Sequence, residues 1–71
     1  MRKWLKTSRI EKGFTMKALS EKLGISESYY CAIENGTRQE KMDMSIASRL
    51  SEELEIPLDI IAKNERLANS A

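Results

Sequence analysis

The chain contains no histidine, one cysteine, one proline, three glycines and only 6% aromatic residues. Without histidine, Ser-His-Asp and Cys-His catalysis are excluded, as are Cys2His2 zinc sites. The single cysteine, Cys31, has no partner for an internal disulfide and makes no thiolate cage. Small secreted domains usually carry several disulfides, so this composition favours a reducing, cytoplasmic setting. No stretch approaches the roughly 20 apolar residues of a membrane span. Met1-Arg2-Lys3 leads into Trp4-Leu5-Lys6-Thr7-Ser8-Arg9 rather than an apolar run, so no signal peptide is read.

What is present bounds the rest. The 71 residues give one small domain with a thin core. A pocket of several hundred Å³ would consume that core, which argues against an enclosed enzyme cleft. No catalytic residue, metal, cofactor or small-molecule ligand is expected. Net charge is only +1, but it is unevenly spread. Residues 1–41 hold nine basic side chains against five acidic, and residues 42–71 hold three against six. That polarity suits a polyanionic partner on one side, although Lys and Glu also serve simply to solvate helix surfaces.

The pattern reads as all α. Gly13, Gly24 and Gly36 fall 11 and 12 residues apart, a spacing of short helices with glycine stops. A first helix is expected over about Arg2–Lys12, with a weak apolar face of Trp4, Leu5 and Ile10. Thr15 is placed to cap a second, in which Met16, Leu19 and Leu23 form one stripe. Ser26 is the natural cap of a third, which carries Glu27 in its first turn, buries Tyr30 and Ile33, and ends at Gly36. Only Gly24 and Ile25 lie between Leu23 and that cap. Two helices joined so tightly must cross steeply, which is helix-turn-helix geometry. Thr37 to Met42 reads as a polar loop. Asp43 caps a fourth helix whose stripe is Ile46, Ala47, Leu50 and Leu54. Ile56-Pro57 breaks it, and Pro57 opens a fifth helix with Leu58, Ile61 and Ala62 inward. The expected domain is 1–64, followed by a short, frayed polar tail over 65–71.

The run from Thr15 to Gly36 resembles the helix-turn-helix of the Cro/cI repressor family, also called XRE. Leu19, Ser20, Gly24, Ile25, Ile33, Glu34, Asn35 and Gly36 fill that family's pattern. Leu54-Glu55-Ile56-Pro57-Leu58-Asp59 resembles its usual ending, and the likeness spans about residues 4–62. It implies a five-helix lambda-repressor-like DNA-binding domain. It also implies an Arg9–Glu34 salt bridge between the first helix and the end of the third. Ser20 stands where the family has Ala, and its hydroxyl can bond a carbonyl one turn back. Four departures stand out. Met16 replaces a phosphate-binding Gln, and Met42 replaces a loop Pro. Tyr30 replaces an aliphatic and needs a partner for its hydroxyl. Glu55 replaces the Gly after Leu54, which puts that turn in question.

The resemblance also implies a DNA face. The third helix would enter the major groove with Glu27, Ser28, Cys31 and Ala32 toward the bases. Ser28 can donate or accept, Glu27 can accept from a cytosine amino group, and Cys31 and Ala32 offer apolar contact. Glu27 has an equal structural use at the positive end of its helix. With no Arg or Gln on this face, part of the specificity would rest on DNA shape. Thr15 and Lys17 would hold one phosphate backbone, and Asn35, Thr37 and Arg38 the other, with Lys41 a weaker candidate. Tyr29 reads either as core edge or as a backbone contact. A domain this small would bind double-stranded DNA as a homodimer, and Ile56, Pro57, Leu58 and Ile60 form the expected self-association surface. The reading is therefore a sequence-specific transcriptional repressor, not an enzyme and not a membrane protein. The alternative is an antitoxin or other protein-interaction module of the same fold.

Overall fold

The computed structural model describes residues 1–39 and 41–69, with side chains described through Leu67. Glu40, Ser70 and Ala71, which belong to the expected loop and tail, lie outside these residues. Five helices follow one another: α1 (Lys3–Glu11), α2 (Met16–Leu23), α3 (Glu27–Asn35), α4 (Met44–Leu54) and α5 (Leu58–Asn69). No strand occurs among the described residues, and no described helix is long and apolar enough to cross a membrane. This is the all-α, lambda-repressor-like architecture that the resemblance implies.

The helix starts follow from short polar side chains. The Thr15, Ser26 and Asp43 side chains accept from the N–H groups of Ala18, Tyr29 and Ile46, three residues on in each case. Each bond satisfies a donor that the helix itself leaves open. The Ile46 N–H, followed by the Ser45 hydroxyl, holds the Asp43 carboxyl below its ordinary range. The stops share one closure. Gly24 adopts φ 73°, which lets the Ile25 N–H reach back to the Ser20 carbonyl at 3.0 Å. After α4 the same closure forms on a residue with a side chain. Glu55 sits at φ 55°, and the Ile56 N–H donates to the Ser51 carbonyl at 3.1 Å. The turn that the missing glycine put in question is therefore kept, with Glu55 in left-handed backbone and its carboxylate paired to Lys12.

The core gathers Leu5, Leu19, Leu23, Tyr30, Ile33, Ile46, Ala47, Leu50, Leu54 and Ile61. Each large aliphatic buried this way contributes about 1.5–3 kcal/mol. Ser20 is 2% exposed between α2 and α3, and its hydroxyl donates to the Lys17 carbonyl at 2.7 Å. The expected apolar face of α1 is corrected at one position: Ile10 is 56% exposed. Arg9, one residue earlier, takes the inward place instead.

Two buried arginines fasten α1 to the rest. Arg9 Nε lies 3.0 Å from Glu34 Oε2, and its Nη2 lies 3.3 Å from Oε1. Arg9 Nη1 also donates to the Phe14 carbonyl at 2.9 Å. The hydrogen bond to Glu34 holds the Arg9 guanidinium above even its ordinary pKa, against the opposing effect of burial. Arg2, 5% exposed, donates from Nε to both Glu65 oxygens at 3.0 Å and from Nη1 to the Ile33 carbonyl at 2.5 Å. It reaches the Arg38 and Gln39 carbonyls as well. Trp4 Nε1 completes the cluster on Glu65 at 2.9 Å.

That cluster corrects the expected tail. α5 continues to Asn69, and Glu65 is a half-buried anchor rather than part of a frayed end. Tyr30 also departs from expectation. Its ring is fully buried beside the Arg9–Glu34 pair, yet among the described residues its hydroxyl has no hydrogen-bond partner. Arg9 and Glu34 face each other, and the Tyr30 hydroxyl lies near both without a well-formed hydrogen bond to either. Burial, reinforced by the Glu34 carboxylate, pushes the Tyr30 phenol far above its ordinary range.

Candidate nucleic-acid interface

The α2–Gly24–α3 unit is built from tight local signals. Thr15 starts it, Ser20 permits close helix approach, Gly24 turns the chain, and Ser26 starts α3. Tyr30 and Ile33 bury one side of α3 completely. The other side faces outward. Glu27, Ser28 and Asn35 are exposed, whereas Cys31 and Ala32 are half-buried. Asn35 Nδ2 lies 3.5 Å from Cys31 Sγ, one turn earlier on the same face.

The flanking polar residues differ in what they have free. Thr15 is exposed, and its Oγ1 accepts from the Ala18 N–H at 3.0 Å. Accepting leaves its own hydroxyl proton available outward. Lys17 and Arg38 are exposed. Thr37 is exposed but internally engaged: its N–H and its Oγ1 both donate to the Ala32 carbonyl, at 3.0 and 3.2 Å. Thr37 therefore has no free donor in the uncomplexed chain. Lys41 is exposed and lines a groove with residues of α4 and α5.

Tyr29 has its ring against the core, and its hydroxyl accepts from Gln39 Nε2 at 2.6 Å. Gln39 Oε1 accepts from the Asp43 N–H at 3.0 Å, so one side chain ties α3 to the start of α4. Gln39 itself holds φ 55°. Neither Gln39 nor Arg2 stands out in the sequence as a positioning residue, yet together they set the segment that carries Thr37 and Arg38. For Arg2 there is one sequence signal. A cation at the start of a helix meets the positive end of its dipole, and that mismatch asks for a carboxylate partner. For Gln39 there is none.

The four residues expected to form a self-association surface do not share a face. Leu58 and Ile60 are 36% and 40% exposed. They lie two positions apart on α5, about 200° around a helix of 3.6 residues per turn. Leu58 lines a groove between α4 and α5, with Ile61 and Ala62 one turn on. Ile60 points to the opposite flank, which it shares with exposed Leu67 seven residues later. Ile56 is half-buried against the core and Pro57 is exposed. The expected patch is thus two surfaces on either side of α5.

Residues 3–67 match a family model described as a helix-turn-helix domain. The chain is also 44% identical over 54 residues to the uncharacterized HTH-type transcriptional regulator YqaF of Bacillus subtilis (strain 168). That alignment covers 76% of this chain and 68% of YqaF. No solved structure matches the chain.

Proposed function

The chain belongs to the helix-turn-helix domain family, and from that premise we propose that this DNA-binding transcriptional regulator is a repressor acting on a pseudo-palindromic operator as a homodimer. α3 enters the major groove by its amino end. The observation that carries this reading is the closely packed α2–Gly24–α3 unit, whose outer α3 face remains exposed at Glu27, Ser28 and Asn35.

Ser28 reads a base edge as donor or acceptor, and Glu27 accepts from a cytosine amino group. Cys31 and Ala32, half-buried, contribute apolar contact to thymine methyls. Thr15 uses its free hydroxyl proton on a phosphate oxygen, and the open N–H groups at the start of α2 add to that site. Lys17, Asn35 and Arg38 complete the backbone grip, which supplies most of the affinity. Thr37 joins only if its donors leave the Ala32 carbonyl, so it is the weakest of the five. Self-association uses the Ile60 flank of α5 with Ile56 and Pro57. Leu58 lies outside that surface.

Two variants test the assignment by equilibrium binding across a salt series. Arg38→Ala weakens all sequences alike and reduces the salt slope by about one. Ser28→Arg shifts base preference toward guanine at one position of each half-site. Parental behaviour in both variants would mean that the face is misassigned.

A further inference from the structure

The groove between α4 and α5 encloses about 550 Å³. Its walls are apolar side chains, chiefly Met42, Met44, Leu58 and Ala62, over a floor of buried Ile61. Its volume alone is that of a small-molecule site, but the groove is partly open to solvent, and small ligands are usually enclosed on most sides. Two helices that leave a furrow between them offer the seat that a third helix takes. Met44 is 66% exposed at its edge. Flexible thioethers such as those of Met42 and Met44 adapt to side chains of varied shape.

The charge at the rim selects the occupant. Lys41 and Arg66 line the groove, and neither forms an ion pair among the described residues. The one carboxylate there, Glu65, is already held by Arg2 and by the Trp4 indole. Among the described residues, the rim therefore carries two cations with no answering charge. We infer that this groove is a docking site for an amphipathic helix of a partner protein, with apolar residues inward and carboxylates along its flanks. The inference does not depend on how α3 meets DNA, because no α3 residue lines the groove.

Two synthetic peptides of about 20 residues, near 30 Å when helical, provide the test. Both carry leucine at i, i+3, i+4 and i+7; one has glutamates along the flanks and the other lysines. Binding to the intact chain is followed by calorimetry and by amide chemical-shift mapping. The glutamate peptide is expected to bind at least about tenfold tighter, with shifts confined to Met42, Met44, Leu58, Ala62 and their neighbours. Met44→Glu, at an exposed position, should abolish this preference without lowering thermal stability. The double variant Lys41→Glu, Arg66→Glu should reverse it toward the lysine peptide. Equal binding of the two peptides, or shifts outside the groove, overturns the proposal. So does conversion of a dimeric parent to a monomer by Met44→Glu, which would assign the groove to a second copy of this chain.

Discussion

Arg2 and Glu65 stand 63 positions apart in the chain and meet through a forked contact, with the Arg2 Nη2 2.9 Å from Glu65 Oε1 and its Nε 3.0 Å from both oxygens. Their side chains are 6% and 13% exposed. The pair closes the domain by joining the start of α1 to α5, while the remaining Arg2 donors hold the Ile33, Arg38 and Gln39 carbonyls.

Glu65→Ala leaves a buried guanidinium without its carboxylate. The expected loss is about 3 kcal/mol, the lower end of what breaking a shielded pair costs. A urea titration should show a lower midpoint with an unchanged slope. Glu65→Gln, which keeps an acceptor for Trp4, should lose less. A loss below about 1 kcal/mol in Glu65→Ala would put the contact in the class of exposed ion pairs and contradict its anchoring role.

Tyr30 gives a prediction of opposite sign. Among the described residues its buried hydroxyl has no partner, so Tyr30→Phe removes an unsatisfied group rather than a bond. Stability should hold or rise by about 1 kcal/mol. The pH dependence follows from the raised phenol pKa. A group that binds its proton more tightly when folded stabilises the fold fully below its unfolded pKa of about 10, and that contribution fades as pH climbs above it. Phenolate absorbance in a Tyr29→Phe background should therefore develop together with unfolding. Ionisation while the chain is still folded would show that Tyr30 reaches water.

Glu55 holds a turn that glycine would hold without strain. Glu55→Gly relieves the left-handed backbone and gives up only an exposed contact with Lys12. The melting temperature should rise. A fall would mean that the Lys12 pairing matters more than the backbone conformation.

Much of the fold is legible because it is written in local chemistry. Thr15, Ser26 and Asp43 cap helices wherever they precede an apolar stripe, and Gly24 and Gly36 stop them. Arg9 and Glu34 are legible through the resemblance alone, since nothing local ties residues 25 apart. Arg2 is harder still. At the sequence level only its place at a helix start sets it apart from other basic residues, and the convergence of α3, α5 and the Arg38–Gln39 segment is what buries it. Glu65 has the polar neighbourhood of a tail, so its anchoring role waits on Arg2 and Trp4. The split of Leu58 from Ile60 is a matter of helical phase that an apolar run conceals. The α4–α5 groove has no sequence signature at all, because it is a gap between packed elements. It also shows how a short chain offers several hundred Å³ of apolar recess without emptying its core: the recess is on the surface.

Operator recognition by α3 in a homodimer is tested by selection from a random duplex pool. The parent chain would be incubated with the pool at about 0.15 M salt, where surface charges are screened within about 8 Å, and the bound DNA sequenced. Enriched inverted repeats with half-sites about 34 Å apart, one helical turn, are the expected result. Binding that is salt-labile and enriches no sequence would contradict it.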